Sequence, residues 1–193
     1  MIIAIAGGAG SGKSEVSKVL KEFGFEVIIA DEVNARLLKD EVYLEKLKSL
    51  FPSAFDTNGN LVKSSLRSII FNDPYERQKL NNFSHPVILK EISALARKNS
   101  GVSFVEIPLL MESGAKWLFD KTILVLASDS LRAERVALRD SISLADAYAI
   151  IQAQHCEEEI EADAIIQNSS CVTALRQEIK TALALLEIEP QIK

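Results

Sequence analysis

Short apolar runs alternate with amphipathic segments along most of this chain. The first run, residues 2–6, is uninterrupted and is followed at once by two glycines. A strand that is buried on both faces has such an unbroken run, whereas a strand with one wet face alternates between apolar and polar residues. Similar runs occur at 25–30, 102–107 and 122–127, with a shorter one at 164–166. Together they predict the strands of a parallel sheet.

Segments with helical periodicity separate these runs, and this alternation favours an α/β, doubly wound three-layer fold. Predicted helices cover 13–22, 31–38, 42–50, 64–71, 74–98, 130–139, 144–154 and 172–186. About seventy residues without a strong strand signal separate the second and third runs, which is more than a crossover helix requires. We therefore expect a single domain, 1–193, with an inserted helical lobe at 41–100. Lobes of this kind usually hold a substrate.

Composition and charge narrow the possible functions. The chain has 193 residues, of which 48% are hydrophobic and 25% charged, which is typical of a folded globular protein. Its 22 Lys and Arg residues against 27 Asp and Glu residues give a net charge of −5 and a pI near 5.2. An acidic chain has no overall attraction for a polyphosphate backbone. We therefore expect no nucleic-acid partner.

The sequence also lacks signals for membranes and for disulfide chemistry. No apolar run approaches the roughly 18 to 20 residues that a membrane span needs, and no basic flank precedes the first run. Two cysteines, Cys156 and Cys171, are too few for a disulfide framework or a zinc site. The expectation is a soluble cytoplasmic chain without a signal peptide, and a monomer is favoured.

A phosphate-binding motif follows the first predicted strand and opens the first predicted helix. Residues 7–14 read GGAGSGKS and match the P-loop pattern G-x-x-x-x-G-K-[ST]. Glycines let successive N–H groups converge on phosphates at a helix N-terminus. The predicted ATP contacts are Gly8, Ala9, Gly10, Ser11, Gly12, Lys13, Ser14 and Glu15. A glycine-rich turn without a ligand is the alternative.

Within this motif, three side chains have different expected roles. Lys13 brings a positive charge to the β- and γ-phosphates, and the Ser14 hydroxyl is the predicted ligand of Mg²⁺. Glu15 suits the first turn of a helix but is a poor neighbour for a triphosphate. We expect its side chain to point away from the nucleotide or towards the water shell of the metal.

Other residues favour a small-molecule kinase over the remaining classes of P-loop protein. The N-K-x-D tetrapeptide of GTP switches is missing from the sequence, and the chain is short for a motor. Asp31 follows the second predicted strand and opens a helix, at the sheet edge where open α/β folds bind ligands. A carboxylate there can accept the proton of an attacking hydroxyl, although an ordinary N-cap aspartate is the alternative.

Three arginines, Arg132, Arg135 and Arg139, lie at i, i+3 and i+7 after the fourth run. Helical spacing places them on one face, which suits a lid region, 130–160, that closes over phosphates. Among them, Arg139 is the catalytic candidate and Arg135 a nucleotide contact. The alternative is a solvated face that is balanced by Glu134 and Asp140.

With these features in place, the sequence resembles the dephospho-coenzyme A kinase family over nearly its whole length. The matching segments are 7–14, 30–31, 66–71, Leu80 with His85 and Pro86, 106–112, 135–139 and 162–168. The resemblance implies a P-loop kinase-like fold with a five-stranded parallel sheet in the order 2-3-1-4-5, a helical CoA-binding lobe and an arginine-bearing helical lid. It also implies transfer of the ATP γ-phosphate to the ribose 3′-hydroxyl of dephospho-CoA.

The resemblance also assigns roles to individual residues. Asp31 corresponds to the base, while Arg67 and His85 belong to the acceptor side, where His85 is equally compatible with helix capping. Glu106 is expected at the substrate or at a magnesium-bound water, although it and Glu112 are nearly as compatible with structural ion pairs. Asn168 is expected near the adenine.

Two rival functions remain open at this point. Another P-loop small-molecule or nucleotide kinase would share the loop and differ in the lobe. A non-catalytic nucleotide-binding module is the second rival, because Glu15, Ile29 and Ser170 depart from residues that are frequent in the family.

Overall fold

The computed structural model describes residues 1–107, 115–154, 160–169 and 171–190. Strands in these ranges are β1 (Ile2–Ala6), β2 (Glu26–Ile29), β3 (Ser103–Glu106), β4 (Lys121–Leu126) and β5 (Ala164–Gln167). The α-helices are α1 (Lys13–Glu22), α2 (Ala30–Leu37), α3 (Glu41–Leu50), α4 (Lys63–Asn72), α5 (Pro74–Ala96), α6 (Asp129–Asp140), α7 (Leu144–Gln152) and α8 (Val172–Leu185). Each one coincides with a predicted strand or helix to within about two residues.

The strands within the described residues form one parallel sheet in the order β2-β3-β1-β4-β5. Strand β1 is central, since Ile3 pairs with Phe104 of β3 on one side and Lys121 of β4 on the other. Residues 3–6 of β1 are fully buried, as its unbroken apolar run predicts. The predicted sheet and its strand order are confirmed.

Two amphipathic helices, α1 and α8, cover one face of this sheet. Their apolar residues recur at helical spacing and share a single core cluster with β1 residues Ile3 and Ile5. In α1 the buried positions include Val16 and Leu20, and in α8 they include Ile179. Packing of α1 fixes the start of the helix that carries Lys13 and Ser14.

The chain divides into two compact units, 1–29 with 95–193 and 30–94. The second unit is helical and has its own core around Tyr43, Leu47 and Phe51. Asp40 caps α3 by accepting a hydrogen bond from the Tyr43 N–H at 2.8 Å. The predicted lobe at 41–100 falls largely within this unit, and its role in binding substrate stays a prediction. Within the described residues, no helix combines the length and the apolar character needed to cross a bilayer.

Candidate active site

The phosphate loop connects the central strand β1 to helix α1 in the first unit. Gly10 and Gly12 have φ angles of 75° and 92°, in the left-handed region that glycine adopts freely. A Cβ atom on Gly10 would lie 2.5 Å from the carbonyl oxygen of Arg132, and one on Gly12 would collide with the side-chain amide of Asn168. The glycines are therefore required both by backbone conformation and by close contact with neighbouring residues.

Lys13, the first residue of α1, turns its side chain back into this loop. Its Nζ donates hydrogen bonds to the carbonyl oxygens of Gly7 at 2.7 Å and Gly8 at 3.0 Å. These contacts hold an ammonium group within the loop, where the sequence predicted a cation for the β- and γ-phosphates.

Glu106, at the end of β3, is buried beside the first turn of α1. Its Oε1 accepts a hydrogen bond from the Ser14 hydroxyl at 2.8 Å, and its Oε2 accepts one from the Ser17 hydroxyl at 2.7 Å. Ser17 was missed in the sequence, although its i+3 spacing from Ser14 on a helix is a usable signal.

Ser14 and Glu106 supply oxygen atoms of the kind that Mg²⁺ prefers. Ser14 Oγ and Glu106 Oε1 are 2.8 Å apart. The described residues contain no group of three or more His, Cys, Asp or Glu side chains that could hold a metal ion alone. A pair of protein oxygens nonetheless fits Mg²⁺, which usually keeps waters and takes other oxygens from substrate phosphates.

Two side chains from outside the loop bind the carbonyl oxygens of Gly10 and Ser11. Arg135 of α6 donates to the carbonyl oxygens of Gly10 at 3.0 Å and Ser11 at 3.3 Å. Asn168, which follows β5, donates from Nδ2 to the Ser11 carbonyl oxygen at 2.9 Å and accepts from Arg135 at 3.2 Å. Both residues were predicted as nucleotide contacts, and the structure shows them bound to the backbone of the loop.

Ala9 is bound through both of its backbone polar groups. Its N–H donates to Gln154 Oε1 at 2.8 Å, and its carbonyl oxygen accepts from Arg132 Nε at 2.9 Å. Gln154 was missed because it follows the end of α7 and belongs to no motif. Of the three arginines that were predicted to share one helix face, Arg132 and Arg135 both contact the loop.

Arg139, the third of these arginines, makes a different interaction. Its guanidinium donates to both carboxylate oxygens of Asp140, from Nε at 2.8 Å and from an Nη atom at 2.7 Å, at the surface. The hydrogen bond to Asp140 raises the pKa of Arg139 above its usual value. The predicted catalytic role of Arg139 stays a prediction.

Glu15 also forms an ion pair at the surface of α1. Its carboxylate lies 2.6 Å from Lys18 Nζ, one helical turn further on. This hydrogen bond raises the pKa of Lys18. The Glu15 side chain therefore pairs with its own helix.

A cavity of about 400 Å³ opens beside the loop, at the carboxyl ends of β4 and β5. Ser128 and Leu131 line it at the start of α6, and Gln167, the last residue of β5, lines it together with Asn168 and Ser169. This volume lies in the usual range for small-molecule pockets. Since Asn168 belongs both to the cavity wall and to the loop contacts, the cavity and the phosphate loop are adjacent.

Comparison with known proteins identifies the family. The family model described as Dephospho-CoA kinase matches residues 1–173. The chain belongs to the dephospho-CoA kinase family. A relative from Geobacillus kaustophilus named dephospho-CoA kinase is 33% identical over 191 residues, covering 95% of each chain.

Solved structures agree with this assignment. A crystal structure from Thermus thermophilus has a TM-score of 0.83 at 33% identity and covers 96% of this chain and 97% of its own. The dephospho-CoA kinase from Campylobacter jejuni has a TM-score of 0.68 at 28% identity and covers 96% of both chains. The predicted family, kinase class and P-loop kinase fold are confirmed.

The residues that the family resemblance assigns to the acceptor side lie in the second unit. Asp31 is exposed in the first turn of α2, and Arg67 is exposed on α4. His85 is half-buried inside α5, next to Pro86 and away from either helix end. Their predicted roles stay predictions.

Other residues discussed from the sequence lie outside the described residues. They are Glu112, Ser170, and residues 155–159 of the predicted lid region, which include Cys156.

Replacing Gly12 by alanine tests whether the tight glycine geometry of the loop is needed for nucleotide binding. We expect Gly12→Ala to weaken ATP binding by about tenfold or more, because left-handed strain costs about 1–3 kcal/mol and the methyl group would displace Asn168. Gly59→Ala is the matched control, since Gly59 also has a positive φ, 84°, but lies in a surface turn of the second unit. Titration calorimetry measures both variants. Equal ATP affinity in the two variants would contradict this interpretation of the loop.

Proposed function

We propose that this chain is a dephospho-CoA kinase, which transfers the γ-phosphoryl group of ATP to the ribose 3′-hydroxyl of dephospho-CoA. The observation that carries the proposal is the glycine loop that holds Lys13 and adjoins the Ser14–Glu106 pair, in a chain that aligns with dephospho-CoA kinases over nearly its full length. We further propose that the enzyme acts in the cytoplasm as a monomer.

ATP binding is supported by the shape of the loop. Gly10 and Gly12 adopt left-handed φ angles, and backbone N–H groups in such a loop can converge on a phosphate at the start of a helix. The Lys13 ammonium supplies positive charge, which opposes the negative charge on the transferring phosphoryl group. The cavity beside Asn168 is our proposed position for the adenine base, at one end of the loop.

Magnesium binding is supported by Ser14 and Glu106. Their oxygens would hold the ion, directly or through its waters, next to the first turn of α1. When bound, Mg²⁺ neutralises charge on the β- and γ-phosphate oxygens. Ser17 keeps the Glu106 carboxylate oriented towards Ser14 by binding its other oxygen.

Asp31 is our proposed base for the acceptor. It is an exposed carboxylate in the first turn of α2, two residues beyond Ile29, the last residue of β2. In the reaction, the 3′-oxygen forms a bond to the γ-phosphorus, while the bond from that phosphorus to the oxygen between the β- and γ-phosphates breaks. Asp31 accepts the proton of the 3′-hydroxyl. Arg67 and His85 would hold the acceptor, and Arg139 would add charge at the transferring group.

A panel of acceptors tests the proposed reaction. We expect wild-type protein with ATP and Mg²⁺ to release ADP with dephospho-CoA and to show little release with nucleoside monophosphates or other small alcohols. A coupled ADP assay provides the measurement. Preference for another acceptor would assign the protein to a different kinase reaction.

In the same assay, Lys13→Ala should lower turnover by about 10³-fold without loss of folding, because the charge of Lys13 acts on phosphates.

Asp31→Asn tests the assignment of the base. Asparagine keeps the size of the side chain but cannot accept the proton, so we expect kcat to fall by about 10²- to 10⁴-fold with little change in ATP affinity. Glu32→Gln, at the next position of the same exposed turn, is the control and should keep wild-type kcat. Steady-state kinetics and ATP titration separate the two effects. A defect confined to ATP affinity would exclude Asp31 as the base.

A further inference from the structure

Gln154 lies two residues beyond the end of α7 and contacts the phosphate loop across 145 positions of sequence. Its side-chain oxygen accepts the N–H of Ala9 at 2.8 Å. The same oxygen lies 3.5 Å from an Nη nitrogen of Arg132, whose Nε binds the Ala9 carbonyl oxygen at 2.9 Å. These three residues form a closed ring of hydrogen bonds.

The peptide group between Gly8 and Ala9 connects this ring to Lys13. Every peptide bond in the described residues is trans, so the N–H and C=O of one peptide group point in opposite directions. The N–H of this group points out of the loop to Gln154, and its C=O accepts Lys13 Nζ at 3.0 Å. Gln154 therefore helps to orient this carbonyl group, which also accepts the Ser11 N–H at 3.3 Å and holds the Lys13 ammonium.

Packing around Ala9 opposes any other arrangement of this peptide group. The Ala9 methyl group packs against the apolar cluster between α6 and α7, whose buried members are Ala133, Val136, Ala147 and Ile151. The Arg132 side chain is only 8% exposed, so its hydrogen bonds are protected from water. Removal of the Gln154 oxygen would take an acceptor from the Ala9 N–H at a partly buried position.

We propose that Gln154 is a positioning residue for phosphoryl transfer, which sets the place of the Lys13 ammonium through the Gly8–Ala9 peptide group. The inference rests on the proposed function only in taking the loop as the ATP site. It ties the end of α7, in the predicted lid region 130–160, to the cation that faces the phosphates. Arg132 supports the same arrangement from the following peptide group, by holding the Ala9 carbonyl oxygen.

Gln154→Met tests the proposal, because methionine has a similar length but lacks the acceptor. We expect kcat/KM for ATP and the affinity for a non-hydrolysable ATP analogue both to fall by about tenfold, while the KM for dephospho-CoA stays unchanged. Exchange of the Ala9 amide with deuterium, followed by NMR, should become faster. Gln154→Glu keeps an oxygen acceptor beside Arg132 and should restore slow exchange and most of the ATP affinity.

Gln152→Met is the control, because Gln152 is exposed at the last position of α7. Thermal unfolding of each variant separates loss of folding from loss of positioning. The proposal is overturned if Gln154→Met and Gln152→Met have equal ATP affinity and equal Ala9 exchange, or if only the melting temperature of Gln154→Met changes. ATP binding and amide exchange need no acceptor, so these tests remain decisive even if wild-type protein does not phosphorylate dephospho-CoA.

Discussion

The N–H groups of a phosphate loop can face a triphosphate only if the carbonyl oxygens of the same peptide groups face away from it. In this protein, the carbonyl oxygens of Ala9, Gly10 and Ser11 are held by side chains outside the loop. Arg132 binds the carbonyl of Ala9, and Arg135 binds those of Gly10 and Ser11. The N–H groups of Gly10, Ser11 and Gly12 are thereby directed to the opposite side, where that of Ser11 donates to the Gly8 carbonyl oxygen at 3.3 Å. The shape of the loop thus depends on α6 as well as on its own glycines.

The arginines of α6 make two different kinds of contact. Arg132 and Arg135 bind backbone carbonyl oxygens, and a delocalised guanidinium with several donors can bind more than one oxygen. Arg139, one turn beyond Arg135, is paired with Asp140 at the surface. Surface ion pairs contribute little to stability, so the pair with Asp140 holds the Arg139 guanidinium only weakly. A direct contact between Arg139 and a phosphate stays a prediction.

The local parts of the site could be predicted from the sequence, because each depends on neighbouring residues. Strand β1, the glycine loop and the first turn of α1 are continuous in the chain, and their pattern determines their order and their conformation. Helical spacing likewise predicts that Arg132 and Arg135 share a face. Helical spacing does not predict which residues that face contacts, because the contact depends on how the folded chain places α6 against the loop.

The contacts that hold the loop from outside depend on the folded chain and not on neighbouring residues. Gln154 and Asn168 reach loop residues 145 and 157 positions away, and neither contact follows from a local pattern. Asn168 was expected near the nucleotide from the family resemblance, whereas Gln154 belonged to no motif. The strand order also came from the resemblance, since alternating strands and helices are compatible with several orders. Ser17 is the exception, because its helical spacing from Ser14 was available in the sequence.

The most direct test of this account is a crystal structure with a non-hydrolysable ATP analogue and Mg²⁺ at saturating concentration. We expect phosphate oxygens within hydrogen-bond distance of the backbone N–H groups of Gly10, Gly12 and Lys13, with the metal beside Ser14 and Glu106. The outward contacts of Arg132 and Arg135 should be retained. A triphosphate bound elsewhere, or a complex in which the carbonyl oxygens of Ala9, Gly10 and Ser11 turn towards the phosphates, would contradict it.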